Sequence, residues 1–355
     1  MCNFGVFFRR FVFLFLISIC FCIGTCASFP EISASSAILI NSDTGEVIYS
    51  KNVDTKRGMA STTKIMTAIL AIENGVLDEM VEISDDAIGV EGSSLYLKKD
   101  EAMTLRDLLY GLMLRSANDA AEAIAIHISG SVEDFATLMN DKAASLSLAN
   151  THFTNPHGLS DDNHYTTAYD LAILTSYAMK NNTFREICST KKATISGNRT
   201  VVNHNKLLFL LDGICGVKTG FTKDTGRCLV SAADRNGVEF VSVTLNAPDD
   251  WNDHTKMIEY GFNEYEAVPL LSKGDCVYKL PVVGGDYESV SLVAEKDVTV
   301  CLKKKRGSIV ESLKFIRPRF APIYKEETLG YAVYTLDGTV IASVPLVAEE
   351  YIGKR

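Results

Sequence analysis

Met59-Ala60-Ser61-Thr62-Thr63-Lys64-Ile65-Met66-Thr67-Ala68-Ile69-Leu70-Ala71-Ile72 is the stretch from which the rest of the chain can be read. Ser61 and Lys64, three residues apart, share one face of a helix. Between Ile65 and Ile72 only Thr67 interrupts an apolar run, and a helix that is apolar on every side is a buried one. Ser61 then stands at its N-terminal end, where unpaired N–H groups and the macrodipole favour developing negative charge. Lys64 enters a low-dielectric interior, which lowers a lysine pKa and lets the amine act as a base. A serine activated by such a lysine is one of the nucleophile designs of acyl transfer. Two fixed positions are a weak motif, however. Ser189-Thr190-Lys191-Lys192 repeats it ahead of Ala193 to Asn198, a stretch too short and too polar for a buried helix. The surrounding chain has to decide.

Upstream, Ala37-Ile38-Leu39-Ile40 and Glu46-Val47-Ile48-Tyr49 flank Ser42-Asp43-Thr44-Gly45, a β-hairpin that feeds into the Ser61 helix. Asn74-Gly75 marks the C-terminal cap of that helix. Further upstream, Arg9 and Arg10 precede an apolar run from Phe11 to Ile23 and the small residues Thr25-Cys26-Ala27. This is the pattern of an export signal over residues 1–27, too short for an ordinary membrane span. It is compatible with a cleaved leader or with an uncleaved anchor. Residues 1–27 contain two arginines and no acid, so the rest of the chain is two charges more negative than the −9 of the whole. That balance excludes nucleic acid as a partner. Five of the nine cysteines lie beyond residue 27, without a Cys-x-x-Cys pair, which is not a disulfide framework.

Downstream, Thr104 opens a helix whose Leu105, Leu108, Leu109, Leu112 and Met113 keep helical spacing. It breaks at Ser116-Ala117-Asn118-Asp119 before a second apolar helix that ends at Gly130. Side chains in such a break can face a cleft, although Ser and Asn also serve there as plain caps. Ser-x-Asn recurs at Ser50-Lys51-Asn52 and Ser196-Gly197-Asn198, beside strands. A further helix runs from Ser131 to about Leu148. Asn155-Pro156-His157-Gly158-Leu159 opens a polar loop, and Thr167 caps a helix through Met179. His152, His157 and His164 match no zinc spacing, so no metal site is expected, and His157 is expected to bond within its loop. Gly216-Val217-Lys218-Thr219-Gly220-Phe221-Thr222 occurs once, between β-like segments. A lysine and a hydroxyl on a strand beside a cleft suit a substrate carboxylate, and the glycine permits close approach. Asn236-Gly237 joins two apolar strands as a hairpin. A helix over Trp251 to Tyr265 closes this part.

From about Pro269 short β-like runs replace helical periods, and Lys303-Lys304-Lys305-Arg306-Gly307 reads as a charged hairpin tip. The expected fold class is α+β: a largely antiparallel sheet flanked by helices, with a small C-terminal β-domain. The expected division is a signal at residues 1–27, a catalytic domain at 28–268, and a β-domain with a short tail at 269–355. The last strand is expected to end near Pro345, leaving Leu346 to Arg355 as a tail too short and too acidic to hold a membrane.

Ser-x-x-Lys, Ser-x-Asn and Lys-Thr-Gly in this order resemble the signature of penicillin-binding proteins and serine β-lactamases. The longer stretches Met59 to Lys64, Asn155 to Leu159 and Gly216 to Gly220 resemble the low-molecular-weight D-alanyl-D-alanine carboxypeptidases over about residues 35–345. The resemblance implies the penicillin-binding transpeptidase/β-lactamase-like fold and a hydrolase that removes the terminal D-alanine of peptidoglycan stem peptides ending in D-Ala-D-Ala. It implies that Ser61 attacks the carbonyl, Lys64 takes its proton and Ser116 relays a proton to the leaving D-alanine. Asn118 helps hold the substrate, Lys218 and Thr219 receive the carboxylate, and Gly220 lets the strand approach. The N–H groups of Ser61 and Phe221 form the oxyanion hole. β-Lactams acylate Ser61, no cofactor is needed, and the site of action is the outer face of the membrane, the wall or the medium. Membrane contact is expected only through the N-terminal segment if it is retained.

Two departures stand out. Some relatives carry a carboxylate-binding arginine downstream of the Lys-Thr-Gly hairpin, whereas Asn246 to Trp251 holds none. Relatives also commonly end in an amphipathic anchoring helix, and this sequence ends at Lys354-Arg355. A class A β-lactamase would need Glu-x-x-Leu-Asn between Asn118 and Lys218, which is absent. A peptidoglycan endopeptidase shares all three motifs, and a non-hydrolytic penicillin-binding wall protein would keep the fold without turnover.

Overall fold

The computed structural model of the chain describes residues 29–315 and 319–355. The expected export signal lies outside the described residues. Strand β1 (Ser36–Asn41) turns at Gly45 into β2 (Val47–Lys51). Helix α1 (Lys64–Asn74) follows. A small hairpin, β3 (Met80–Glu82) with β4 (Ala102–Thr104), precedes α2 (Leu105–Tyr110), α3 (Asn118–Ser129) and α4 (Val132–Ser145). Then come α5 (Ala168–Met179), α6 (Asn182–Ser189), the hairpin β5 (Lys192–Ile195) with β6 (Arg199–Val202), and one turn, α7 (Leu207–Leu210). Strands β7 (Ile214–Thr222), β8 (Gly226–Arg235) and β9 (Val238–Leu245) lead into α8 (Asp250–Glu264).

These strands form one antiparallel sheet in the order β2-β1-β9-β8-β7, so chain from before and after the helices meets at β1 and β9. Every residue of β1 and β9 is buried. A strand covered on both faces reads as an unbroken apolar run, because alternate side chains serve two cores. Ile38 and Ile40 join Val241 and Val243 in the core that includes α1 and α3, while Ala37 and Leu39 join Phe240 and Met257 on the α8 side. The β8–β9 turn is the Asn236-Gly237 pair, with φ of 55° and 79°. Positive φ at both positions is what a two-residue turn of this hand requires.

Helix α1 runs through the middle of the larger core, with Lys64 to Ala71 all buried. It ends at Gly75 as expected, but Gly75 is extended (φ −108°, ψ 169°) rather than left-handed. A Cβ there would meet Leu105 Cδ2 at 2.3 Å, so the glycine serves the close packing of α2.

Strands β10 (Tyr265–Leu271), β11 (Cys276–Val283), β12 (Ser289–Ala294), β13 (Val298–Lys303), β14 (Ile309–Phe315), β15 (Arg319–Phe320), β16 (Thr328–Leu336) and β17 (Thr339–Ala348) complete the chain. Six of them form a sheet in the order β14-β16-β17-β12-β11-β15 around its own core, and β10 pairs with β13. Strand β10 runs through residues 268 and 269, where the sequence reading set its boundary. Two expectations are corrected. Lys303 to Gly307 is not a hairpin tip, because β13 and β14 lie in different sheets. It packs back on the end of α8 and the start of β10, Lys304 Nζ donating to Phe262 O (2.9 Å) and Arg306 to Glu266 (2.7 Å). Nor is Leu346 to Arg355 a free tail. Leu346 is buried opposite Ala294, Ile352 is fully buried and bridges Ile323, and Arg355 N donates to Gly284 O. The tail was misread because Leu346, Val347 and Ile352 are separated by too few alternations to show a period-2 pattern.

Candidate active site

Ser61 lies on a 3₁₀ turn, Ala60–Thr63, that leads directly into α1. Thr62 and Thr63 tie the turn to itself through their hydroxyls, donating to Met59 O (2.6 Å) and Ala60 O (2.8 Å). Two glycines bring other segments against it. A Cβ on Gly158 would lie 1.9 Å from Ala60 O, and one on Gly220 would lie 3.1 Å from Ser61 N. The first lets the Asn155–Leu159 loop cross over the turn. The second lets β7 run alongside it, with the Ser61 and Phe221 backbones bordering one cleft.

Lys64 is completely buried. Its Nζ lies 3.1 Å from Ser61 Oγ, 2.7 Å from Asn118 Oδ1 and 2.6 Å from His157 O. The amide of Asn118 is oriented by its other end, Nδ2 donating to Glu91 O at 2.5 Å, so Oδ1 faces the lysine. Both Oδ1 and the carbonyl oxygen are acceptors only. A neutral lysine therefore spends its two N–H groups on them and keeps its lone pair for the Ser61 hydroxyl. Burial pushes the Lys64 pKa well below that of a free lysine, with the Lys218 cation adding to the depression and Asp119 opposing it.

Ser116 ends a π-helical turn over Gly111–Arg115 in a left-handed conformation (φ 64°, ψ 33°). A non-glycine residue held there is a strained arrangement of the kind found at functional sites. Its Oγ accepts from Lys218 Nζ at 3.0 Å, and the same Nζ donates to Thr219 O at 3.0 Å. Lys218 is also buried, and desolvation brings its pKa down to about 7. Thus Ser61, Lys64 and Asn118 form one contact cluster and Ser116 with Lys218 a second, and Ser61 and Ser116 line the same cleft although the five residues span 158 positions. Thr219, Gly220 and Phe221 line the same cleft, of about 360 Å³.

The repeated motifs fall elsewhere. Ser189 sits at the C-terminal end of α6, its Oγ donating to Glu186 O, and the chain after it becomes β5. Asn52 follows β2, and Ser196–Asn198 is the turn between β5 and β6. His157 does bond within its loop, accepting from Leu159 N, but also reaches Glu122 on α3. His164 lies against Thr63 Oγ1 (2.7 Å), and burial lowers its pKa to about 4.

Sequence reasoning missed part of the cleft wall: Ser93, His204, Lys206, Arg227, Asp250 and Trp251. Arg227 stands opposite Phe221 in the β7–β8 register. Its Nε and Nη2 donate to Asp250 Oδ1 (3.0 and 2.8 Å), and its guanidinium lies over Trp251. Arg227 thus places a cation in the cleft wall, earlier in the chain than Asn246 to Trp251. The signal was the register itself, since the turn after Thr222 brings Arg227 back beside the Lys-Thr-Gly strand.

The D-alanyl-D-alanine carboxypeptidase family pattern matches residues 23–249, and that of the penicillin-binding protein 5 C-terminal domain matches residues 265–354. The chain is 35% identical to the D-alanyl-D-alanine carboxypeptidase DacF of Bacillus subtilis, over 90% of this chain and 86% of that one. Its fold is similar to that of penicillin-binding protein 5 from Haemophilus influenzae (TM-score 0.75, 30% identity, 92% and 99% of the two chains). It is also similar to a peptidoglycan synthesis regulatory factor from Streptococcus pneumoniae (TM-score 0.79, 25% identity, 91% and 100%).

Proposed function

Since the chain belongs to the D-alanyl-D-alanine carboxypeptidase family and is therefore a serine-type hydrolase of D-Ala-D-Ala ends that binds β-lactams, we propose the following division of labour among its residues. Ser61 is the nucleophile, and Lys64 is the base that receives its hydroxyl proton. The observation that carries this reading is the trio of contacts at Lys64 Nζ, which leaves a neutral amine with its lone pair toward Ser61. As Ser61 Oγ bonds to the carbonyl carbon, the oxyanion is received by the N–H groups of Ser61 and Phe221. Ser116 passes a proton to the departing D-alanine amine and is reprotonated at the expense of the Lys64 ammonium, which returns Lys64 to its neutral form. Lys218, held against it, supplies the positive charge and a hydrogen-bond donor. Water then attacks the acyl-enzyme, Lys64 again taking the proton.

The terminal carboxylate is received by Lys218, Thr219 and Arg227. Asn118 orients Lys64 and has one N–H left for the substrate amide. The enzyme works outside the cytoplasm, at the outer membrane face, in the wall or in the medium, and an N-terminal segment that stays attached is its membrane contact.

Mass spectrometry of a stem pentapeptide incubated with the protein tests this reading. Loss of a single D-alanine is expected, and Ser61→Ala should abolish both that loss and penicillin labelling. Label recovered on a peptide containing Ser189 would overturn the assignment.

A further inference from the structure

Helix α3 begins at Asn118, and Glu122 follows four residues later on the same face. Asn118 contacts Lys64 directly. Glu122 reaches the other acceptor of Lys64 at one remove: its Oε1 lies 3.2 Å from His157 Nε2, and His157 O lies 2.6 Å from Lys64 Nζ. Both side chains are withdrawn from solvent, His157 at 7% and Glu122 at 17% exposure.

The imidazole has a definite tautomer. His157 Nδ1 faces the backbone N–H of Leu159 at 3.1 Å, and a backbone N–H only donates. Nδ1 is therefore the bare nitrogen and Nε2 carries the hydrogen, directed at a carboxylate that only accepts. The rest of the loop is closed by Asn155, whose Oδ1 accepts from Gly158 N (2.7 Å) and whose Nδ2 donates to Leu159 O (3.1 Å).

We propose that Glu122 is a positioning residue of this enzyme: by fixing the Nε2–H tautomer of His157 it holds the loop carbonyl that orients Lys64 toward Ser61. The proposal rests on the reading of Lys64 as base. A doubly protonated His157 would set its new Nδ1–H against the Leu159 N–H, and the loop carrying the carbonyl would have to move. The charged and titratable groups facing His157 are Glu122 from α3, Lys64 from α1 and His164 across the loop. Glu122 favours the imidazolium. Burial and Lys64 oppose it, and the balance keeps the ring neutral below the usual histidine range. The loop therefore holds its shape over the range in which Lys64 works.

The test compares Glu122→Gln, which can still accept from Nε2–H, with Glu122→Leu, which cannot. Two readouts are used: the second-order rate of penicillin acylation across pH, and the tautomer of His157 by long-range ¹H–¹⁵N spectra of ¹⁵N-histidine protein. Wild type should show Nε2–H. Glu122→Gln should keep that signal and stay within about threefold of the wild-type rate. Glu122→Leu should lose the single tautomer and acylate at least about tenfold more slowly, since displacements well under 1 Å at a reacting group reach that size. Its acid limb should move to lower pH, because the carboxylate that favours the imidazolium is gone. An Nδ1–H tautomer in wild type overturns the proposal whether or not the variants fold. Equal losses in the two variants, or a wild-type rate in Glu122→Leu, overturn it as well. Lys64→Arg acylating normally would instead sink the base assignment while leaving the wild-type tautomer signal as it is, so the two failures are distinguishable.

Discussion

Replacing Arg227 by glutamine asks whether the cation opposite Phe221 does what a downstream arginine does in some relatives. The guanidinium commits Nε and Nη2 to Asp250 Oδ1, and Nη1 is the remaining arm of its fork beside the cleft. A charged hydrogen bond to a carboxylate contributes about 1.5–3 kcal/mol in a protected site. Arg227 is 44% exposed, so solvent screening reduces this to about 1–2 kcal/mol. That corresponds to roughly 5- to 30-fold in kcat/KM. Glutamine keeps a donor for Asp250, which at 4% exposure would otherwise be left buried and unpaired. The assay compares a D-Ala-D-Ala peptide with the same peptide carrying a terminal carboxamide. The expected loss falls on the carboxylate substrate alone and mainly through KM. Equal losses on both peptides, or none on either, would refute the role.

The remaining predictions concern Lys64 and the C-terminal strand. Because burial lowers the Lys64 pKa, acylation should rise with pH well below the ordinary lysine range near 10.4. It should fall again above about 7 as unliganded Lys218 loses its proton, giving a bell-shaped kcat/KM profile. Lys64→Arg should be inactive, and near-normal labelling of that variant would remove Lys64 as the base. Ile352→Ala should destabilise the β-domain by about 2–5 kcal/mol, the range for a fully buried large-to-small change. Thermal unfolding followed with and without the substitution checks this, and an unchanged profile would show that the chain end is not part of that core.

Much of the catalytic half was legible because its signals are local and redundant. Apolar runs gave the buried strands, Asn236-Gly237 gave the β8–β9 turn, and the all-apolar face after Lys64 gave α1. Ser116 lies in the expected helix break and Asn118 opens the helix after it, but the left-handed serine was invisible because serine does not demand that conformation. Arg227 carries no signal along the chain, because the cleft is assembled across strands. Gly75 was read for its φ freedom when its role is the absence of a Cβ beside Leu105. The C-terminal sheet was the least legible part. Its strands alternate weakly, and Ile352 contributes to the core through one isolated bridge rather than a strand.

The pairing of β1 with β9 joins Ser36 to Leu245. Because β1 forms the sheet with chain more than two hundred residues later, the strand that anchors the Ser61 segment has no partner on that side until β9 has been delivered. Contacts this distant in sequence form slowly and late. For a protein that acts outside the cytoplasm, this order of assembly means that the hydrolase is completed only after most of the catalytic half has been made, and a chain still being exported carries β1 as an open apolar edge. The same topology that shields Lys64 in the finished enzyme also keeps the nascent chain from acquiring a working serine before β9 has been made.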